Sequence, residues 1–522
     1  MFRKNKEVDG DKNKIPSKAV NQKLNRTSSS TTITTTTAAA VIPDPRRWKA
    51  LTLLSLAQFI VILDTSIIGV ALPTIQQHFG FSQADLQWIF NAYVIVFGAL
   101  LLLGGRLSDI IGQKKIFIIG FLTLTISSII AGLASSGVVL IIARSLQGIG
   151  AALIAPSALS MVMSLFGSNK LEMNKAMGIW GASAPAGGTA GVFLGGIITA
   201  WLDWPWVFLI NVPVGIALLA LTPKLLPTAI KQKGSIDYLG ALTITGALML
   251  LVYAIVTAND IGWISVQTIS LLSIAGLMFA GFLTIQRRKK EPLIPLNIFK
   301  TPNLFASNIV MALLGAAWIP MWFFLNLYLQ QILGYGPFES GLALLPMTLM
   351  IMVLMISTTP KLMNHFGLKR NLVIGLGLLA AGIAMFSWSP SSSSSNGNES
   401  NTTYTFILYV LPASLAAALG MSLAYIPVLT AAISNARKEQ IGLASGLVNT
   451  SYQIGSALGL AIIVAIASSQ TETFENIGLP SVEALNGGFH TAFIVGAIIS
   501  VIATAVAVIG LRMRIGKTIA KN

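Results

Sequence analysis

Long apolar runs and short polar breaks alternate along the whole 522-residue chain, and fourteen of the runs are long enough to be membrane spans. They fall at residues 50–72, 86–105, 115–134, 138–160, 176–200, 204–223, 237–257, 266–286, 303–330, 339–359, 371–388, 404–430, 440–468 and 488–511. A helix of about 20 residues crosses a hydrocarbon core roughly 30 Å thick. Lipid offers no partners to backbone N–H and C=O groups, so an open-ended segment crosses only as a helix. The pattern predicts an all-α integral membrane protein with fourteen transmembrane helices. The breaks are mostly short, so consecutive helices run antiparallel.

The basic residues fix the span count. Of 34 Lys and Arg, 11 precede the first span and 22 lie in the segments after even-numbered spans. The segments after odd-numbered spans hold none, and the remaining base, Arg144, lies inside span 4. Basic segments are held on the cytoplasmic side during insertion. One span more or fewer would scramble this alternation. It predicts a multi-pass protein of the cell membrane with both termini cytoplasmic.

Composition agrees. The chain is 54% hydrophobic and 10% charged, against about 25% charged in soluble domains. The net charge of +16 is spread over eight segments as topology signals, so it forms no nucleic-acid footprint. The absence of Cys excludes disulfides and thiol chemistry. No nucleotide loop, metal-ligand cluster or nucleophile–base set is visible, so an enzyme is not expected. No soluble ATPase domain fits either. The expected energy source is a proton gradient, with no cofactor. Residues 1–48 are polar and read as a disordered cytoplasmic tail, and residues 513–522 read as a second cytoplasmic tail. An outer loop carries glycosylation sequons at Asn398 and Asn401.

A weak repeat is present. Arg106, Leu107, Gly112, Lys114 and Lys115 recur at one offset as Lys361, Leu362, Gly367, Lys369 and Arg370, with Asn364 in the slot of Asp109. Two related six-helix bundles, 49–223 and 303–512, with two linker spans between them in 224–302, explain that offset. Duplicated halves are typical of secondary transporters, whose substrate site lies between them near the midplane.

Two charges lie within the spans, Asp64 and Arg144. Each costs roughly 2.5–3.5 kcal/mol at a helix centre on insertion scales, which makes it a functional candidate. Their positions in spans 1 and 4 put them at similar depth in the outer half of the membrane. They form either a structural ion pair or a titratable carboxylate tuned by an arginine. In the loop after span 2, Gly112 permits a tight turn, Asp109 can face a helix N-terminus, and Lys114 and Lys115 anchor the cytoplasmic face. Span 5 is glycine-rich, and Gly187, Gly191 and Gly195 share one face at a spacing that lets helices approach closely. Gln58, Asn91, Gln147, Asn211, Asn326, Asn449 and Gln453 are uncharged polar residues within the spans. They either satisfy interhelical hydrogen bonds or line a cavity.

At these residues the chain resembles the major facilitator superfamily, in particular its fourteen-span drug:proton antiporter branch. Leu63-Asp64-Thr65 with Pro73 is similar to that branch's first-span motif. Gly105, Leu107, Asp109, Gly112 and Lys114 match the superfamily's loop motif, with Ile110 and Gln113 where bases are usual. Arg144, Gln147, Gly148 and Gly150 resemble the span-4 motif whose arginine is implicated in proton transfer. Gly191, Val192, Gly195 and Gly196 resemble the antiporter motif of span 5, with Val192 in place of its usual proline. The resemblance covers roughly residues 48–515. It implies proton-coupled export of lipophilic, often cationic, small molecules by alternating access. Asp64 would bind the proton and Arg144 modulate it. The loop would brace the cytoplasmic side and the glycines would seal a helix interface. An exporter dedicated to one metabolite or ion is the alternative on the same fold.

Overall fold

The computed structural model describes residues 46–166, 170–226, 237–290, 292–390, 399–435 and 441–511. The expected tail up to residue 45, the Asn398 sequon and the segment 513–522 lie outside them. Among the described residues every regular element is helical. The membrane helices are α1 Arg47–Phe79, α2 Trp88–Ile111, α3 Gln113–Gly132, α4 Gly137–Phe166 and α5 Lys170–Trp201. They continue with α6 Trp206–Leu225, α7 Tyr238–Ile261, α8 Val266–Arg288, α9 Leu304–Ile332 and α10 Pro337–Met363. The last are α11 Leu368–Phe386, α12 Thr402–Ile433, α13 Ile441–Asn476 and α14 Ser481–Gly510. Thirteen of the fourteen are long and apolar enough to cross a membrane. The other, α5, spans 32 residues and is rich in glycine, which dilutes its hydropathy without shortening it.

The same packing pairs occur twice. In the first half α1 packs on α5, α2 on α4, and α3 on both α4 and α6. In the second half α9 packs on α13, α10 on α12, and α11 on both α12 and α14. The halves meet at two equivalent seams, α2 with α13 and α5 with α10. The linker helices α7 and α8 pair with each other, and α7 also lies against α2 and α13. The outer face of α8, with Ile269, Ile274, Leu277 and Phe279 exposed, suits lipid contact.

The loop repeat has a structural counterpart. Gly112 and Gly367 both take positive φ, 113° and 82°, which turns the chain sharply into α3 and α11. The lysine two residues on then caps the last helix of its own half. Lys114 Nζ donates to the carbonyls of Pro223 at 2.9 Å and Leu226 at 2.7 Å, at the end of α6. Lys369 Nζ donates to Val508 at 2.7 Å and Leu511 at 2.9 Å, at the end of α14. A cation at the negative end of a helix satisfies orphan carbonyls and opposes the helix dipole. These lysines therefore organise structure as well as topology.

Close contact with α5 holds the Asp64 stretch of α1 in place. A Cβ on Gly187 would clash with the Phe59 carbonyl, one on Gly191 would lie 2.9 Å from the Leu63 carbonyl, and one on Gly195 2.7 Å from that of Ile67. The three glycines thus track α1 at the four-residue rhythm of Phe59, Leu63 and Ile67, on either side of Asp64. Without a strong hydrophobic drive between helices in lipid, such close backbone approach is a main source of association. Gly191→Leu should part the two helices and destabilise the fold by about 2 kcal/mol or more, read as a fall in the unfolding temperature of the purified protein. Gly181→Ala, on the same helix but with no atom within 4 Å of its Cβ position, should be neutral or slightly stabilising.

The linker pair has its own clasp. Asp237, at the N-cap of α7, accepts from Gly240 N at 2.9 Å, Gln286 Nε2 at 2.6 Å and Lys289 Nζ at 2.8 Å. Burial alone would raise its pKa, but these donors outweigh burial and hold the carboxyl below its ordinary value. A carboxyl depressed in the fold contributes stability above its unfolded pKa and loses it as pH falls through the folded one. Hydrogen exchange in α7 should therefore quicken below about pH 4. Asp237→Asn should quicken it at neutral pH and remove the acid transition.

Candidate functional site

The two charges that the sequence places in the membrane form one ion pair. Arg144 Nη1 on α4 donates to Asp64 Oδ2 on α1 at 2.7 Å, and both side chains have no exposed surface. The neighbours make this pair a closed cluster. Gln147 Nε2 donates to Asp64 Oδ1 at 3.1 Å and to Ser128 Oγ of α3 at 2.8 Å. Asn211 Nδ2 of α6 donates to the same Oδ1 at 2.6 Å. Arg144 Nη1 also donates to Gln147 Oε1 at 2.8 Å, and Arg144 Nε to the Ile89 carbonyl of α2 at 3.0 Å. The Tyr93 ring lies 4.4 Å from the guanidinium carbon and Phe208 at 6.0 Å. Three donors on the carboxylate, with two rings beside the cation, compensate much of the desolvation that both charges suffer.

Five helices of the first half supply this cluster: the carboxylate ties α1 to α4 and α6, Gln147 adds α3 and the arginine adds α2. Removing one partner of such a pair leaves an uncompensated buried charge, at about 3–5 kcal/mol. The sequence singles out Asp64, Arg144 and Gln147. It marks Asn211 as a polar span residue and does not point to Ser128, Tyr93 or the Ile89 carbonyl. A hydroxyl, a ring and a backbone oxygen carry no signal until helix rotation is known. The triplet Arg144, Gln147, Gly148 does carry one, since Gly148 has room for no Cβ against the Tyr93 carbonyl and Val96 and so lets α4 close on α2.

The other polar span residues divide by location. Asn91, buried on α2, donates through Nδ2 to Gln87 Oε1 at 3.2 Å. Gln58 lies eleven residues before Gly69, three turns along one face of α1. At Gly69 that face meets the second half, since a Cβ there would lie 3.1 Å from Asn326 Nδ2 of α9. On α13, Gln453 abuts Gly98 of α2. Asn449, one turn away, accepts from Tyr425 OH of α12 at 3.3 Å. Asn326 and Gln453 thus belong to the boundary between the halves, Asn449 joins α12 to α13 within the second half, Gln58 is half-buried on α1, and Gln147 belongs to the Asp64 cluster.

Of the loop residues, Asp109 is half-buried beside the charge of Arg106, and a Cβ on Gly105 would find Pro156 at ordinary distance. Gln113 Nε2 donates to Ser160 Oγ at 2.6 Å and joins α3 to α4. Val192 keeps an unbroken helix where the resembling motif has proline. It is buried, and its carbonyl lies 3.1 Å from the Cβ position of Gly341 on α10. Gly196 also faces α10, 2.9 Å from the Pro337 carbonyl by the same measure. The glycine motif therefore serves both α1 and the opposite half.

At the end away from the basic loops the halves are joined. Gln330 Nε2 donates to the Val70 carbonyl at 2.9 Å and Gln331 Nε2 to Gln76 Oε1 at 2.6 Å. Both glutamines sit in a π-helical turn, Tyr328–Ile332, the type of irregularity that marks working sites in helices. Trp201 stacks near Phe338, with centroids 6.1 Å apart, across α5 and α10.

Residues 54–460 match the family model described as Major Facilitator Superfamily. The chain is 33% identical over 467 residues to the puromycin resistance protein Pur8 of Streptomyces alboniger, covering 88% of this chain and 90% of that one. It is 35% identical over 430 residues to the cephamycin export protein CmcT of Amycolatopsis lactamdurans, covering 81% and 85%. Among solved structures, the POT family transporter PepTSo shares the fold with a TM-score of 0.64 at 16% identity, over 88% of this chain and 98% of that one. A family model spanning most of the chain, these relatives and this architecture agree: the chain belongs to the Major Facilitator Superfamily of membrane transporters.

Proposed function

We propose that this protein exports lipophilic, antibiotic-like small molecules across the cell membrane in exchange for protons. The basic face is then cytoplasmic, with both termini inside. The names of the resistance and export proteins that it resembles support the cargo class. The observation that carries the coupling is the sealed Asp64–Arg144 pair, 2.7 Å apart. Asp64 is the only carboxylate placed deep in a span, and an acid there exchanges a proton only when the surrounding helices let water in.

The geometry suggests how the proton acts on the cargo. In the state described, an ionised Asp64 holds α1, α4 and α6 together and the outward end is latched. Protonation removes the charge that Arg144 balances and weakens its bonds to Asn211 and Gln147. Helix α1 then gains freedom to shift, and the glycine seam transmits the shift to α5. Gly196 and Val192 pass it to α10 in the other half. The halves rock about their two seams and expose the central space to alternate sides. Gly105, Asp109, Gly112 and Lys114 shape the cytoplasmic turn and fix α3 to α6 while this happens. The proton gradient supplies the energy, and the mechanism needs the substrate, protons and the bilayer but no cofactor.

The test is transport in proteoliposomes under an imposed pH gradient. Asp64→Asn keeps the shape of the side chain and removes its proton site. Gradient-driven export should fall to the level of empty liposomes while the protein still folds and inserts. Undiminished gradient-driven export by this variant contradicts the assignment.

A further inference from the structure

The linker pair carries an open groove on its surface, where α7 begins and α8 ends. It holds about 340 Å³ and is lined by Leu239 of α7 and by Thr284, Ile285, Arg288 and Lys289 at the end of α8. That volume is at the low end of ligand clefts, about 300–1,000 Å³, and suits a glycerol phosphate headgroup. Toward the membrane interior the groove continues as an apolar track. Leu242, a turn after Leu239, is exposed. Gly281, a turn before Ile285, has nothing within 4 Å of its Cβ position, and Leu277 before it is exposed.

The polar end of the groove sits at headgroup level. Helix α8 runs 23 residues, about 34 Å at 1.5 Å each, so its last turn emerges from a hydrocarbon core roughly 30 Å thick. Tyr238, beside Leu239, is exposed, as aromatic residues at a membrane interface are. Four consecutive bases, Arg287 to Lys290, stand here, and Asp237 and Glu291 leave their charge in excess. Lys289 is held by Asp237 at 2.8 Å, which fixes the polar wall of the groove. Arg288 is exposed and makes no hydrogen bond or ion pair among the described residues. A topology signal needs only the charge; it does not need a groove beneath it. A guanidinium at the mouth of an apolar track matches a molecule with an anionic head and apolar tails. Arginine takes a phosphodiester by two parallel N–H donors, and an acyl chain covers Leu239, Ile285 and the gap at Gly281. Free phosphate would use the first feature and leave the second bare. Basic pockets between membrane helices on the cytoplasmic side hold anionic headgroups in this way.

We infer that this groove is a binding site for one anionic phospholipid of the cytoplasmic leaflet, with its phosphate on Arg288 and an acyl chain along Leu239, Ile285 and Gly281. The bound lipid spans α7 and α8 beside the Asp237 clasp and so helps to hold the linker pair together. The site depends neither on the export reading nor on the Asp64 cluster.

The test counts lipid on the full chain, purified in neutral detergent, by native mass spectrometry during titration with dioleoylphosphatidylglycerol or dioleoylphosphatidylcholine. The first phosphatidylglycerol should bind at least about tenfold tighter than phosphatidylcholine. Arg288→Ala should weaken it about tenfold, as loss of a charge-assisted hydrogen bond does. Lys115→Ala removes the same charge from an exposed position in another cytoplasmic turn and should leave the affinity nearly unchanged. Gly281→Phe, which fills the apolar track and alters no charge, should weaken binding as well. Each variant is first checked for an unchanged unfolding temperature without added lipid. Equal affinity for the two lipids overturns the inference, and so does indifference to Arg288→Ala or to Gly281→Phe. Equal losses in Arg288→Ala and Lys115→Ala would make the attraction a property of the whole basic face and also overturn it. Displacement of the lipid by inorganic phosphate at matching concentration would reduce the groove to a plain anion site, with the same consequence.

Discussion

A charge deep in a membrane must have a partner, and almost everything specific about this molecule is arranged around one such partnership. Asp64 and Arg144 sit on helices far apart in sequence, so the fold has to bring α1 and α4 together before either charge is tolerable. The remaining lone pairs then recruit Gln147 and Asn211, and through Gln147 the hydroxyl of Ser128. The result is a polar knot in the first half that has no counterpart among the described residues of the second half. The two halves share packing pairs and even the lysine caps at Lys114 and Lys369. They differ in charge chemistry, and that asymmetry places the proposed proton site in the first half.

Close packing connects the two. Glycine at three successive turns of α5 lets α1 lie almost backbone to backbone with it, so a displacement of α1 has little slack to absorb it. The same helix touches the opposite half through Gly196. Packed helices of this kind move as discrete bodies rather than deforming smoothly. At the end away from the basic loops the halves are joined by glutamine side chains and stacked rings.

Much of this architecture is legible in the chain. Span number comes from the parity of the basic loops, which locates even α5, whose glycines keep its hydropathy low. Helix ends are less legible. The apolar run 50–72 becomes a helix from Arg47 to Phe79, because polar turns beyond the hydrocarbon continue it. The Asp64–Arg144 pair is legible from depth alone, since two expensive charges at one level need each other. The rest of the knot is not. Whether Asn211 or Asn326 turns inward depends on the rotation of each helix about its axis, which is set by packing partners such as Gly148 and Gly191 rather than by local sequence. Gln147 shows the same limit: like Gln453 it is an uncharged amide within a span, yet it bonds Asp64 while Gln453 abuts Gly98 of the other half.

The claim most exposed to measurement is that Asp64 takes and gives up the transported proton. Proton release on adding a transported substrate can be tracked with a pH indicator in lightly buffered, detergent-solubilised protein near the pH of half-protonation. The account predicts saturable release from the native protein, at most about one proton per chain, and none from Asp64→Asn that still binds the substrate. Equal release from that variant would place the proton elsewhere and reduce the buried pair to a structural fastening.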